Sequence, residues 1–107
     1  MKHKRIIIVG ASGVFGRRLV EQLLACGERD LVLAGRDEAK LHTLKAALGA
    51  VAADCIILSF DRSATSSTLL RDHSGAVLVD AAGPFQQSSL VLVKACIAAG
   101  VNYIDLA

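Results

Sequence analysis

Short hydrophobic runs alternate with longer amphipathic stretches along the whole chain. Each run is apolar and bounded by turns, which is typical of buried parallel strands. The predicted strands are Ile6–Val9, Asp30–Ala34, Cys55–Leu58, Ala76–Val79 and Asn102–Leu106. Strands joined by helical crossovers run parallel, and right-handed crossovers with short connections leave an open sheet. The pattern therefore predicts an α/β fold with a doubly wound parallel sheet in the strand order 3-2-1-4-5.

The stretches between these runs have helical periodicity and recognisable helix ends. A first helix would run from about Val14 to Cys26 and end at Gly27. Its predicted apolar stripe consists of Phe15, Leu19 and Leu23. Asp37 is a suitable N-cap for a second helix, which would end at Gly49. The other two segments are a weak, polar helix or turn from Ser63 to about Asp72, and an apolar helix from about Leu90 to Ala99.

Composition and charge narrow the class of protein. A chain of 107 residues is the size of one domain, and its content of 53% hydrophobic residues excludes a disordered chain. The net charge of +2 comes from interspersed charges of both signs, so we expect no nucleic-acid partner. Charged residues interrupt the one stretch that resembles a signal peptide, and no apolar run is long enough to span a membrane. We therefore expect a cytoplasmic protein without membrane association.

Cysteine and histidine residues are predicted to have no catalytic role. The cysteines are far apart and form no C-x-x-C pair, which is typical of reduced thiols that serve as small hydrophobic residues. They are Cys26, Cys55 and Cys96. The histidines predicted at the surface are His3, His42 and His73. Neither set has the spacing of metal ligands, so we assign no metal site.

A glycine-rich segment, Gly10-Ala-Ser-Gly13-Val-Phe-Gly16, connects the first predicted strand to the first predicted helix. The order of strand, glycine loop and helix is typical of a nucleotide-binding turn. In such a turn Gly10 permits the sharp exit from the strand, Gly13 leaves room for a pyrophosphate, and Gly16 lets the helix pack closely. The free N–H groups at the helix N-terminus would then face the phosphates. The alternative is a turn that uses its glycines for geometry alone.

The end of the second predicted strand determines which dinucleotide would fit. An acidic residue at this place binds the 2′-hydroxyl of NAD, whereas an arginine accommodates the 2′-phosphate of NADP. The sequence here is Ala34-Gly35-Arg36, which favours NADP(H) over NAD(H), and Ser12 would add a hydroxyl group. The alternative for Arg36 is a solvated surface charge, and Lys40 is interpreted as a surface lysine.

Further polar and small residues follow the third, fourth and fifth strands. The segment Asp80-Ala-Ala-Gly83-Pro-Phe85 would let ribose and pyrophosphate lie against its backbone, unless it is only a turn. Asp61 would either contact the adenine edge or cap a turn. Asp80 and Asp105 end strands four and five, but no partner in the sequence marks either as a general acid or base.

Of two other nucleotide chemistries, that of a P-loop is excluded by the residues present, and that of a short-chain dehydrogenase would require a catalytic part outside this chain. A phosphate-binding P-loop requires G-x-x-x-x-G-K-[ST], but Gly16 is followed by Arg17 and Arg18. Short-chain dehydrogenases use a Tyr-x-x-x-Lys pair, whereas the only tyrosine, Tyr103, has Ala107 four residues later. No catalytic residue is therefore assigned within this chain.

Several segments together carry a resemblance to a known family. Besides the glycine loop they are Leu33-Ala-Gly-Arg36, Ser59-Phe-Asp61, Val79-Asp-Ala-Ala-Gly-Pro-Phe85, Ala95-Cys96 and Gly100-Val-Asn-Tyr-Ile-Asp105. In these segments the chain resembles the NADP-binding, Rossmann-like domain of the saccharopine dehydrogenase family, over nearly its whole length. The resemblance implies that the NADP(H) site is lined by Gly10, Ser12, Gly13, Phe15, Gly16, Arg36, Asp61, Ala82 and Gly83.

The resemblance also implies that the cofactor and the substrate are bound by different domains. Family members continue after the Tyr-x-Asp segment into a larger substrate and dimerisation domain, so residues 1–107 would be the dinucleotide-binding domain alone. We expect part of an NADP(H)-dependent oxidoreductase, in which hydride moves between nicotinamide and a small-molecule substrate held by the missing domain. We expect the isolated chain to be inactive and to associate into homo-oligomers. The alternative is a non-catalytic sensor or regulatory module that binds NAD(P).

Overall fold

The fold is a five-stranded sheet with helices on both faces. The structure, a computed structural model, describes residues 4–61, 67–82 and 87–105. The strands are β1 (Ile6–Val9), β2 (Leu31–Gly35), β3 (Ile56–Ser59), β4 (Val77–Asp80) and β5 (Asn102–Asp105). The helices are α1 (Val14–Ala25), α2 (Glu38–Leu48), α3 (Ser67–Leu70) and α4 (Gln87–Ala99), with 3-10 turns at Gly49–Ala52 and Arg71–His73.

All strand pairings are parallel, and the strand order is β3-β2-β1-β4-β5. This confirms the predicted fold class and order. Val9 at the end of β1 pairs with Ala34 of β2 on one side and with Asp80 of β4 on the other. The carboxyl ends of these three central strands therefore lie at the same edge of the sheet, where the order of the strands reverses. In doubly wound folds this is the edge at which ligands bind.

Alternate residues of β1 belong to two separate cores, one on each face of the sheet. Ile7 and Val9 pack with the cluster that includes residues of α3 and α4, whereas Ile8 packs with the cluster that includes residues of α1 and α2. The leucine and isoleucine side chains in these cores that are fully buried are Ile7, Ile8, Leu31, Leu33, Leu41, Leu70, Leu78 and Leu92. Each such burial contributes about 1.5–3 kcal/mol. Both cores hold the strand ends in fixed positions.

The apolar stripe predicted for α1 is wrong by about one position. The buried residues of this helix are Gly16, Val20 and Leu24, while Phe15 is 73% exposed. Leu19 and Leu23 are only partly buried. The reason is the close contact of Gly16 with the backbone of the glycine loop, which turns that side of α1 inward.

Other element boundaries agree with the predictions to within about one residue, except in two places. Helix α4 begins at Gln87 rather than at about Leu90, so its first turn includes Ser88 and Ser89. The weak helix predicted from Ser63 lies partly outside the described residues. Its described part forms the short α3 and the 3-10 turn that follows it.

Two of the cysteines are buried, as expected for small hydrophobic residues. Burial raises the pKa of the Cys55 thiol, and it raises the pKa of Cys96 to about 11 with a further contribution from the charge of Asp80. Both thiols therefore stay protonated at neutral pH. Cys26 is exposed, contrary to that expectation, because it is the residue that ends α1.

Two of the histidines lie in the described part of the chain. His42 is exposed as predicted, whereas His73 is partly buried and accepts a hydrogen bond at its Nδ1 from Arg5 Nη1 at 3.2 Å. The prediction of a plain surface position for His73 is therefore wrong. His3 lies outside the described residues.

None of the helices in the described ranges has the length and hydrophobicity needed to cross a membrane.

Candidate functional site

A crevice of about 670 Å³ opens at the carboxyl ends of β1, β2 and β4. It is bounded by the glycine loop with the start of α1, by the end of β2 with the start of α2, and by the segments that follow β3 and β4. The lining residues are Val9, Gly10, Ser12, Gly13, Val14, Phe15, Gly35, Arg36, Asp37, Lys40, Phe60, Asp61, Ala81 and Ala82. The crevice thus occupies the place at which a doubly wound sheet binds ligands.

Gly10 makes the turn out of β1 that the sequence predicts. Its φ of +80° is in the left-handed region, which an L side chain rarely adopts. A Cβ at this position would lie 2.7 Å from the Cα of Ala82, so the loop after β4 approaches the glycine loop directly. Backbone N–H groups of Gly10 and Ala11 donate to Ala34 O at 2.8 and 3.1 Å, which fixes the loop to β2.

Gly13 and Gly16 have different surroundings. A Cβ at Gly16 would collide with Gly10 O and would lie 2.9 Å from the Cα of Ala11. Gly16 is buried beneath the loop, where it permits α1 to start in contact with the loop backbone. Gly13 is exposed, has an ordinary extended conformation with φ of −80°, and would place a Cβ only 3.3 Å from Gly10 O. A side chain at Gly13 would require the loop backbone to yield by a few tenths of an ångström, much less than at Gly16, and it would occupy space in the crevice.

The N-terminus of α1 faces the crevice without a side-chain cap. Gly13 is its N-cap residue, no side chain in the described part of the chain caps this end, and the first turn contains no acidic residue. By contrast, α2 has both features: Asp37 Oδ1 accepts a hydrogen bond from the N–H of Lys40 at 3.2 Å, and Glu38 lies in the first turn. The predicted N-cap of α2 is confirmed. The first N–H groups of α1 remain available to an anion in the crevice.

Two cationic side chains stand at the end of β2. Arg36 and Lys40 are exposed and line the same crevice, one on each side of the Asp37 cap. The backbone at Arg36 is held by Ser59, whose Oγ donates to Arg36 O at 3.2 Å. The pairing of β2 with β3 continues past the strand ends, since Phe60 N donates to Gly35 O at 2.8 Å. Lys40 is an exposed lysine, as the sequence predicts, and it lines the same crevice as Arg36.

The loop after β4 is anchored by a buried carboxylate. Asp80 is fully buried; its Oδ1 accepts a hydrogen bond from Ala82 N at 3.2 Å, and its Oδ2 accepts one from the hydroxyl of Tyr103 at 2.8 Å. The sequence indicates no partner that would mark Asp80 as a general acid or base, and the partners found in the structure anchor the loop. The two residues lie diagonally across the β4 and β5 pair, in which Leu78 pairs with Tyr103. Only the register of the strands brings them together.

The structure brings most of the sequence-predicted site residues into one crevice. Those that line it are Gly10, Ser12, Gly13, Phe15, Arg36, Asp61 and Ala82. Gly16 lies beneath the loop instead, and Gly83 lies outside the described residues. The sequence interpretation missed Phe60, although it follows β3 directly and packs partly against the core on the α3 and α4 face.

Comparison with known proteins identifies the family. Residues 6–107 match the family described as the saccharopine dehydrogenase NADP binding domain. A Mycobacterium tuberculosis protein provisionally named a trans-acting enoyl reductase is 36% identical over 102 residues, which are 94% of this chain and 24% of that protein. The trans-acting enoyl reductase of Mycobacterium leprae is 32% identical over the same shares of both chains. This chain therefore spans about a quarter of the length of these relatives.

Solved structures agree at the level of the fold. The apo saccharopine dehydrogenase (L-Glu forming) of Saccharomyces cerevisiae superposes with a TM-score of 0.74 at 19% identity, covering 98% of this chain and 22% of that one. At this identity the likeness concerns the fold alone. The motifs in the crevice, the strand order and the match over residues 6–107 agree with one another. The chain belongs to the family of saccharopine dehydrogenase NADP-binding domains.

Proposed function

We propose that this chain binds NADP(H) in the crevice and forms the cofactor-binding part of an oxidoreductase. The hydride acceptor or donor would be held by a further domain of a longer protein, as the share of the relatives covered by the chain suggests. When bound, NADP(H) supplies or takes up the hydride, while the protein provides binding and orientation. The observation that carries the proposal is the uncapped N-terminus of α1 opposite two cations in one crevice.

The pyrophosphate would lie across the glycine loop at the start of α1. Two features of this loop fit such a group: the exposed Gly13 leaves space above the backbone, and the free N–H groups of α1 supply donors and a partial positive charge. The loop after β4 adds a second small-residue wall through Ala81 and Ala82. These features together form a concave site for a diphosphate.

The 2′-phosphate of NADP(H) would be bound at the end of β2. Arg36 offers a planar guanidinium that can bind a phosphate in bidentate fashion, and Lys40 adds a second positive charge one turn into α2. One carboxylate oxygen of Asp37 accepts the capping hydrogen bond of α2, which favours a structural role for this residue over selection of the ribose of NAD(H). Ser12 lines the same crevice and would contribute a hydroxyl. We therefore propose a preference for NADP(H) over NAD(H).

The start of α1 also brings apolar side chains into the crevice. Val14 and Phe15 are 75% and 73% exposed at the start of α1 and line the crevice. Exposed hydrophobic residues at a binding crevice are suited to a flat ring or to an apolar partner. The relatives named as enoyl reductases support a reductase whose substrate carries a carbon–carbon double bond.

Calorimetric titration of the chain with NADP⁺ and NAD⁺ tests this proposal. We expect NADP⁺ to bind about tenfold to a hundredfold more tightly, because charge-assisted hydrogen bonds to the extra phosphate contribute about 1.5–3 kcal/mol. Arg36→Ala should weaken NADP⁺ binding by a similar factor and leave NAD⁺ binding nearly unchanged. Arg71→Ala, which removes an exposed arginine away from the crevice, is the matched control.

Three outcomes would count against the proposal. Equal affinities for both dinucleotides, or an Arg36→Ala variant with unchanged preference, would refute the assignment of the 2′-phosphate. Absence of binding by either dinucleotide to a folded chain would refute the cofactor site as a whole.

A further inference from the structure

The fully buried Asp80 and the partly buried Tyr103 form a hydrogen-bonded pair next to the crevice but outside its lining. Among the described residues, Asp80 is the only polar or charged residue that is buried, and it lies at the end of a central strand. Desolvation of a carboxylate is costly unless hydrogen bonds compensate for it. Such a residue requires a reason beyond packing, because an apolar side chain would fill the same space at a lower cost.

The pair connects β5 to the wall of the crevice through short contacts. The Tyr103 hydroxyl donates to Asp80 Oδ2 at 2.8 Å, and Asp80 Oδ1 accepts from the N–H of Ala82 at 3.2 Å. An aspartate that accepts from the N–H two residues later forms a local turn of defined shape. The N–H of Ala81 donates to Val9 O at 2.9 Å, which fixes the start of the same turn to β1.

The position of Ala82 determines the shape of the crevice where it borders the glycine loop. The Cα of Ala82 lies only 2.7 Å from the place that a Cβ of Gly10 would occupy, so the two backbones are in direct contact. A shift of Ala82 by a fraction of an ångström would therefore open or close the space between these two loops. Asp80 is the side chain that holds this turn, and Tyr103 holds the carboxylate.

We propose that Asp80 and Tyr103 are positioning residues that set the distance between the loop after β4 and the glycine loop. The effect on cofactor affinity rests on the proposed function, whereas the effect on loop geometry does not. Neither residue lines the crevice, so neither is assigned a role in the chemistry.

The test combines NADP⁺ affinity with backbone amide resonances measured without cofactor. In Tyr103→Phe, which removes only the hydroxyl, we expect the Kd for NADP⁺ to rise about tenfold. We also expect the amide resonances of Ala82 and Gly10 to shift. Asp80→Asn keeps an oxygen acceptor for the Ala82 N–H and an amide that can donate to Tyr103, so it should retain the affinity within about threefold. Asp80→Ala, which removes both hydrogen bonds, should lose the affinity for NADP⁺.

A control separates positioning from loss of stability. Leu24→Ala removes a buried side chain near the end of α1 that lies far from the crevice, so it should lower stability in urea without shifting the Ala82 and Gly10 resonances. If Tyr103→Phe lowers stability but leaves the Kd and both resonances unchanged, the pair is only structural and the inference is wrong. If the wild-type chain binds no NADP⁺, the proposed function fails, and the amide resonances alone decide the inference.

Discussion

At the residue scale, the three glycines of the loop have different functions. Gly10 adopts a left-handed conformation and touches Ala82, Gly16 is buried against the loop backbone, and Gly13 is the one of the three that is exposed. A motif of evenly spaced glycines therefore contains two positions that determine folding and one that determines the access of a ligand to the crevice. This distinction predicts opposite effects for substitutions only three residues apart.

We expect Gly13→Val to abolish dinucleotide binding in a chain that still folds. The added side chain occupies the proposed pyrophosphate space, whereas its cost to stability is about 1–2 kcal/mol, because valine is a poorer N-cap than glycine and its Cβ lies only 3.3 Å from Gly10 O. Gly16→Ala should instead lower the free energy of unfolding by about 1–3 kcal/mol, because its Cβ collides with the loop. Urea unfolding and calorimetry measure both effects. Normal affinity in a folded Gly13→Val variant would contradict the position of the site.

At the scale of elements, the amino ends of three strands are joined by a polar cluster at the edge opposite the crevice. Arg5, directly before β1, donates from its Nε to Asp30 Oδ1 at 2.8 Å and from its Nη1 to His73 Nδ1 at 3.2 Å. Asp30 precedes β2, and His73 precedes β4 by a short turn. An arginine can only donate, so His73 must be neutral with an unprotonated Nδ1 to accept this bond.

This cluster predicts a dependence of stability on pH. Burial, and next the charge of Arg5, lower the pKa of His73 from its ordinary value of 6.5, with partial opposition from Asp72 and Asp30. The unfolded chain therefore binds this proton more tightly than the folded chain. The stabilisation is complete above about pH 6.5 and is lost as the pH falls through the lower, folded-state pKa. Because solvent screens the partly exposed ring, the loss should be about 1 kcal/mol or less.

Urea unfolding between pH 5 and 8 checks this expectation, with the pH range chosen to span about 1.5 units on each side of the ordinary histidine pKa. His73→Asn should remove the decrease of stability in acid, whereas His42→Asn, on the exposed side of α2, should keep it. A His73→Asn variant with the same acid dependence as the wild type would show that another group is responsible.

At the scale of the whole molecule, one face of the sheet is only partly covered. Val77 and Val79 of β4 and Ile104 of β5 line a shallow groove of about 340 Å³ beside α1. Ile97 of α4 is also 73% exposed, in agreement with the strongly apolar composition of that helix. Exposed apolar surface outside the crevice agrees with the proposal that the chain packs against a further domain of a longer protein.

We expect the chain by itself to bind cofactor but to catalyse no steady-state oxidation of NADPH. A hydride acceptor must be held within reaction distance of the nicotinamide, and a positioned acid or base must handle the proton. The hydroxyl of Tyr103 is bound to Asp80, and the described residues contain no cluster of metal ligands. Absorbance at the NADPH band, with saccharopine-like or short carbonyl compounds added, provides the measurement. Turnover above that of an Arg36→Ala control would contradict this expectation.

The sequence by itself determined the strand order, the loop glycines, the cap of α2 and the family, because each of these depends on neighbouring residues and on periodicity. The tertiary structure decided the features that depend on strand register and on close contact between elements. It rotated α1 so that Gly16 rather than Phe15 is buried, and it placed Lys40 in the crevice. It also brought Tyr103 to Asp80 across 23 residues of sequence. Long-range partners of this kind leave no local pattern, since their meeting depends on how parallel strands align in the folded sheet.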